Sequence, residues 1–435
     1  MKLRIEKAIY GGAGLARAEG KAVFVPFALP SEEVEAHITK RGQGYDEAAL
    51  DAVLEPSPER TAAACPYFSA CGGCHYQHAV YEEQLRIKTA ILHETLERAR
   101  VAGIPEIRTA FGEPLGYRNR VRLHVQREPF ALCYKRAGSH ANLPVERCPI
   151  AAAAVQRAME AVRSIGAEAG MAAWAEEVEL FTNEDESGLL VTLWTSLAER
   201  EAAERLRTLW GVLRAELPKL AGMCAYSADR GKQTGRRLAA EGETWLRYRA
   251  AGHEYRVSAG AFFQVNRFLV DRFVELATGG RSGAKAWDLY AGVGLFTVPL
   301  AETFEEVTAV EAAAASVTDL RHNLHAAAPE RKAARIVASD TEAFLRGAVR
   351  RGEKTPDLVV ADPPRAGLGK DVTALLGQLK PAHITYVSCD PATLSRDLRA
   401  LVESGYHLRE MHLVDMFPHT FHIESVTQLT LVSRG

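Results

Sequence analysis

No apolar run in this chain approaches the roughly 20 residues that a membrane-crossing helix requires, and the opening MKLRIEKAIYGGAG carries no apolar core of the kind found in a secretory signal. Both absences point to a cytoplasmic protein with no membrane partner. An excess of one charge is missing as well: 53 lysines and arginines face 55 aspartates and glutamates, a formal net charge of −2. That total does not advertise a nucleic-acid binder, although a local basic face rather than the sum governs such binding. Cysteine is sparse, seven in 435 residues, yet three of the seven fall between positions 65 and 74. In a reducing compartment such grouping suits metal ligation or nucleophilic chemistry better than disulfides. The length exceeds one ordinary core, so two or three domains are expected, and 47% hydrophobic with 25% charged residues is the balance of a globular protein. Nothing in the sequence speaks to self-association, so a monomer is the default.

Residues 1–56 read as a small β domain. LRIEKAI, AVFVPFA, EVEAHIT and LDAVLEP are short alternating segments broken by GGAG, AEG and RGQG, which predicts a five-stranded barrel of the OB type. Pro56-Ser57-Pro58 reads as a linker. Residues 57–255 then form a central α+β domain that opens on CPYFSACGGCHYQH. Cys65, Cys71 and Cys74 have the spacing C-x5-C-x2-C, and Cys148 in VERCPI is a fourth candidate. Three closely spaced thiols with two glycines between them argue for a metal, and four thiolates suit either zinc or an iron–sulfur cluster. The triplet spacing of radical enzymes is absent, as is the repeated βα pattern of their barrel. His75 and His78 are expected to be packing or surface residues. Leu85, Ile87, Ile91, Leu92 and Leu96 mark an amphipathic helix over 81–100. In YRNRVRLHVQ, Arg118, Arg120 and Arg122 would share one strand face and, with Lys135 and Arg136, either contact phosphates or guard an exposed edge. Residues 151–216 supply two alanine-rich helices around a strand pair, and Cys133 and Cys224 read as core.

Residues 256–435 change rhythm to alternating strand and helix. KAWDLYAGVGLFTVPLA is a strand, a glycine turn and a helix, with Gly292 and Gly294 placed where backbone approaches a ligand. A dinucleotide fingerprint asks for a third glycine, and Thr297 stands there instead. Further strands end on Glu311, Asp340 and Asp362, a series of carboxylates suited to a nucleoside cofactor, although Asp340 also has the position of a helix cap. HITYV leads into SCDPATLSRDL and leaves Cys389 at a strand's carboxyl end, where open α/β sheets bind their ligands.

DLYAGVGLF, the Val-Glu of EVTAVE and the DPPR loop resemble the motifs of class I S-adenosylmethionine methyltransferases, a Rossmann-like fold. With SCDPATLSRDL, FFQVN at 262–266 and FPHTFHIE at 417–424, the chain resembles the RNA uracil-C5 methyltransferases that make 5-methyluridine. The resemblance runs nearly end to end, the N-terminal barrel being similar to their TRAM domain and the cysteine set to their [4Fe–4S] site. One departure is SCDP where SCNP is common. The resemblance implies Cys389 as nucleophile, Glu424 as general base, and Asp362 and Arg365 as holders of the pyrimidine edge. It implies Gln264, Tyr290, Gly292, Gly294, Glu311, Asp340 and Asp362 around S-adenosyl-L-methionine, and Cys65, Cys71, Cys74 and Cys148 around the cluster. His422 and Glu424 would share a face if FHIES is extended. The implied partner is RNA, ribosomal RNA ahead of transfer RNA, with the target uridine flipped from its stack.

Overall fold

The computed structural model describes residues 1–228, 235–327 and 334–432. They form two compact units, one of Met1–Thr95, Tyr134–Leu143 and Phe417–Ile423, the other of Leu96–Cys133, Pro144–Met416 and the chain from Glu424 onward. No described helix is long and apolar enough to cross a membrane.

The first unit begins with a six-stranded sheet whose strands are Lys2–Arg4, Lys7–Ala8, Ala13–Ala18, Lys21–Pro26, Glu33–Arg41 and Tyr45–Glu55. Period-two alternation sets its core: Val34 and Ala36 are buried while Glu35 and His37 face out. Leu3, Ile5, Val23 and Val25 join them. The sheet has six strands rather than five because LRIEKAI does not run straight. Leu3 pairs with Val34 whereas Lys7 pairs with Leu15, so the chain changes partners in between. The Pro56–Pro58 stretch is likewise pinned rather than loose. Buried Glu32 accepts from the Leu29 and Ser57 backbone N–H groups at 2.8 and 3.2 Å and is clasped by the Arg60 guanidinium. The helix follows at Tyr81–Arg98, with the five apolar residues of its predicted stripe buried.

In the second unit, a seven-stranded sheet includes, as successive neighbours, Arg120–Gln126, Ala175–Thr182, Leu189–Thr195, Leu220–Ser227 and Arg237–Gly242. The arginine strand is therefore interior, not an edge, and Arg118 precedes it. Cross-strand partners occupy its cations. Arg120 lies 4.0 Å over the Phe181 ring and 3.8 Å from Glu179, and Arg122 lies 3.6 Å over Trp194 and pairs with Glu177. These contacts engage Arg120 and Arg122 within the sheet. Cys133 and Cys224 are fully buried core, as expected.

The second unit also holds an eight-stranded sheet, labelled here in chain order: β1 Ile107–Ala110, β2 Gly283–Leu289, β3 Phe304–Glu311, β4 Ala334–Ala338, β5 Leu358–Ala361, β6 His383–Ser388, β7 Tyr406–Val414 and β8 Glu424–Leu431. Their spatial order is β4-β3-β2-β5-β6-β8-β7-β1. All four residues of β5 are buried, as are Ile384–Ser388 in β6, the pattern of parallel strands covered on both faces. The order reverses between β2 and β5, and such a switch point opens a crevice at the strands' carboxyl ends. β8 runs antiparallel to β6 and so begins where β6 ends.

Candidate active site

Register performs the first step of assembly. Ser388 pairs with Ser425 and Val387 with Val426, so the next opposed residues are Cys389 and Glu424. Cys389 is half-buried, and the helix Pro391–Glu403 starts two residues later. Asp390 caps that helix, accepting from Ala392 and Thr393 N–H at 3.0 and 2.9 Å. Aspartate and asparagine cap about equally well, which explains why SCDP can stand in place of SCNP. Asp362 follows β5 beside the end of β2, its N–H facing the Leu289 carbonyl at 3.4 Å.

These groups share one electrostatic environment. Burial, and then the charges of Glu424 and Asp362, push the Cys389 thiol up to about 12, while Arg365 pulls it down. Burial raises Asp362 above the carboxylate range, and burial together with Asp362 raises Glu424 further. Mutual influence of this kind requires proximity, so Glu424, Asp362 and Arg365 lie near Cys389. Burial and the two carboxylates thus favour the protonated thiol, an effect that no short-range pattern in the chain reports.

The glycine turn lies across the switch point. Gly292 has φ 56° with nothing within 4 Å of the position a Cβ would take, whereas a Cβ on Gly294 (φ 94°) would meet Leu320 Cδ1 at 2.7 Å. The first glycine leaves room for a ligand and the second lets helix Ala314–Ala327 pack close. Glu311, at the end of β3, accepts from Gly292 N–H at 2.8 Å with one oxygen and from Ala313 N–H at 2.6 Å with the other. Its carboxylate is thus oriented, with lone pairs remaining for two hydroxyls. Tyr290 sits at φ 63°, its hydroxyl raised by burial and bonded to Thr341. Asp340 lies two residues beyond β4 and caps helix Thr341–Arg351 through Ala343 N–H at 3.2 Å, so the cap role noted in the sequence is real. Gln264 is buried, its carbonyl held by Asn119 Nδ2 at 3.1 Å. Among the described residues no hydrogen bond ties its side chain to the Cys389 group.

One residue escaped the sequence reading. Asp288, in β2, is fully buried; one oxygen accepts from Thr297 Oγ and the other has no hydrogen-bond partner. Thr297 is the residue that replaces the third glycine, and this bond gives it a purpose. Burial, partly offset by Thr297, lifts Asp288 to about 7, with Asp362 and Glu311 adding to the rise. A lone buried acceptor beside a glycine turn fits a cationic ligand group, such as the amino-acid end of S-adenosyl-L-methionine. The signal was present as the Asp of DLYAGVG. Because its folded value is raised, Asp288 costs stability that is absent below the unfolded value of 3.8 and grows as pH rises toward about 7. Asp288→Asn is therefore expected to stabilise the ligand-free protein above neutral pH by up to about 4 kcal/mol, with the gain vanishing in acid, while weakening cofactor binding about tenfold or more. Thermal melting against pH and a cofactor titration check both halves.

One expectation is corrected. FHIES is not one extended run: β8 starts at Glu424, and the residues before it turn, Thr420 N–H meeting Phe417 O at 3.2 Å and His422 N–H meeting Thr420 Oγ at 3.2 Å. His422 and Glu424 therefore share no strand face. Cys65, Cys71 and Cys74 are half-buried in irregular chain of the first unit and Cys148 is half-buried in the second. Among the described residues no three His, Cys, Asp or Glu side chains are arranged to hold a metal ion. Cys71 Sγ turns back onto its own loop, accepting from Gly73 N–H at 3.4 Å. His78 is buried among Phe27 and Phe68, and burial holds His75 and His78 near 4, hence neutral.

Comparison with known proteins decides the family. The profile of the tRNA (Uracil-5-)-methyltransferase family matches residues 80–432. The chain belongs to that family. A TRAM domain profile matches residues 1–49. An uncharacterized RNA methyltransferase of Aquifex aeolicus is 35% identical over 99% of this chain and 98% of its own. A 23S rRNA (uracil(1939)-C(5))-methyltransferase RlmD of Alkalilimnicola ehrlichii is 33% identical over 95% of this chain and 93% of its own. Among solved structures, the Pyrococcus abyssi tRNA (uracil-54, C5)-methyltransferase in complex with S-adenosyl-L-homocysteine superimposes with a TM-score of 0.77 at 23% identity, covering 99% of this chain and all of that one. That likeness confirms the fold of the family member described here.

Proposed function

We propose that this protein, acting in the cytoplasm as a monomer, methylates C5 of a uridine in RNA, with Cys389 as the nucleophile that activates the ring. The observation that carries the reading is the nearness of Glu424, Asp362 and Arg365 to Cys389 beyond the carboxyl ends of β5 and β6. Bound S-adenosyl-L-methionine supplies an electrophilic methyl group, for which Asp288, Tyr290, Gly292, Gly294, Glu311 and Asp340 form the proposed cradle. Uracil C5 is a weak carbon nucleophile. Attack of the Cys389 sulfur at C6 forms an S–C6 bond and moves the ring's π electrons toward O4, giving an enolate that Asp362 and Arg365 stabilise by hydrogen bonds. C5 then takes the methyl group, Glu424 removes the C5 proton, and re-formation of the C5=C6 bond expels the thiolate.

Charge explains the order of these steps. Three acidic groups in one half-buried pocket compete for negative charge and titrate together. The thiol proton passes to the carboxylate pair as sulfur attacks. That leaves one carboxylate of the pair protonated; Glu424, in its ionised form, takes the C5 proton, and the expelled thiolate is reprotonated from the pair.

Ribosomal RNA is the proposed substrate, supported by the name of the Alkalilimnicola relative at 33% identity. Mapping 5-methyluridine in cells lacking the gene is expected to show one site lost from large-subunit ribosomal RNA and transfer RNA unchanged. Loss from transfer RNA would move the substrate, and no loss in either would contradict the proposal. An iron–sulfur cluster on Cys65, Cys71, Cys74 and Cys148 belongs to the proposal on sequence spacing and resemblance alone, as a structural element outside the chemistry. Protein purified without oxygen is expected to contain iron with acid-labile sulfide, and zinc without sulfide would exclude it.

A further inference from the structure

The TLSRD part of SCDPATLSRDL has no role in the chemistry above, yet it contacts the loop that follows β5 at several successive residues. Thr393, Arg396 and Asp397 share one face of helix Pro391–Glu403. Thr393 Oγ donates to the Arg365 carbonyl at 3.1 Å, and Arg396 Nη2 donates to the Ala366 carbonyl at 2.8 Å. Asp397, 1% exposed, accepts from Leu368 N–H at 2.8 Å and from Gly369 N–H at 3.4 Å. The same Asp397 oxygen accepts from the hydroxyl of Tyr386, which lies in β6 three residues before Cys389, at 2.9 Å, and Arg396 Nε meets its other oxygen at 2.9 Å. The loop closes on itself through Gly367 N–H and the Pro364 carbonyl at 2.8 Å. Gly367 has φ 74°, and a Cβ there would stand 2.5 Å from Asp397 Oδ2, 2.9 Å from Arg396 and 3.0 Å from Thr393. Only glycine allows this approach.

We propose that Asp397 and Thr393, with Arg396, are positioning residues that hold Arg365 against Cys389, so that nucleophile and activating cation ride on one rigid support. The helix that begins beside the sulfur clamps the loop bearing the guanidinium, and buried Asp397 joins strand, loop and helix at a single carboxylate. A general stabilising role for the same bonds would lower the melting temperature without touching the sulfur. A positioning role predicts a change in how readily Cys389 ionises, since Arg365 is the cation that favours its thiolate while Glu424 and Asp362 oppose it.

The inference rests on reading Cys389 as the nucleophile, but its test uses neither RNA nor cofactor and so stands or falls apart from the substrate assignment. Alkylation of Cys389 by iodoacetamide is followed by peptide mass spectrometry across pH in the full-length protein. Arg365→Gln is expected to slow alkylation about three- to tenfold at a given pH, equivalent to a rise of half to one pKa unit. Thr393→Val and Asp397→Asn are expected to slow it similarly, Thr393→Ser to restore the wild-type profile, and Thr393→Val with Arg365→Gln to be no slower than Arg365→Gln alone. An unchanged profile in folded Thr393→Val would overturn the proposal, as would effects that multiply in the double variant.

Discussion

Cys389→Ala is expected to abolish methyl transfer, by about 10⁴-fold or more, while leaving cofactor binding nearly intact. The separation follows from the sheet. Cys389 follows β6, whereas Glu311, Gly292 and Asp288 belong to β3 and to the strand and turn around β2, so removing the sulfur disturbs no part of the cradle. Single-turnover transfer of labelled methyl to RNA reads the first effect, and a titration with S-adenosyl-L-homocysteine reads the second. A thiol lifted to about 12 by burial and two carboxylates also implies a pH dependence. Below that value the thiolate fraction rises tenfold per pH unit, so kcat/KM is expected to climb with pH through the neutral range. If Cys389→Ala kept even a hundredth of the wild-type rate, direct attack of C5 on the methyl group would suffice and the sulfur would be incidental.

Glu424→Gln should have the second-largest effect, and one of a different kind. The nucleophile and the methyl acceptor remain, so addition and transfer proceed, but nothing removes the C5 proton. Turnover is expected to fall about 10³-fold while a protein–RNA adduct that survives denaturing gel electrophoresis builds up with natural uridine RNA. The same substitution removes a negative charge that raises the Cys389 thiol, so alkylation of Cys389 should become faster even as turnover stalls. In the wild type, Glu424 is raised by burial and by Asp362. A base with a raised value is lost as pH falls through it, so adduct should accumulate in the wild-type enzyme on the acid side. Equal loss of addition and resolution in Glu424→Gln would instead make Glu424 a structural carboxylate.

What could be read in the sequence was whatever depends on short-range pattern. The glycine turn, the strand end at Glu311, and the places of Asp362 and Cys389 just past the carboxyl ends of their strands follow from buried runs broken by glycine or proline. What escaped depends on partners far along the chain. Whether Arg120 and Arg122 face phosphates or Glu177, Glu179, Phe181 and Trp194 is decided by which strand lies alongside, and no periodicity within YRNRVRLHVQ carries that information. The upward push on the Cys389 thiol comes from burial and then from Glu424, 35 positions onward and brought close only by the β6–β8 register. Asp288 and Asp397 looked like ordinary members of a strand and a helix because a buried carboxylate announces itself through what surrounds it, here Thr297 in one case and Tyr386 with the Leu368 amide in the other.

The central claim is that a covalent bond joins the Cys389 sulfur to C6 of the target uracil. RNA carrying 5-fluorouridine tests it most directly, because fluorine at C5 cannot depart as a proton and the methylated adduct has no way forward. Incubation with S-adenosyl-L-methionine is expected to yield a denaturation-resistant protein–RNA complex that mass spectrometry localises to the Cys389 peptide and that Cys389→Ala does not form. Turnover on natural RNA with no trapped species on the fluorinated substrate, or trapping that survives in Cys389→Ala, would contradict the account.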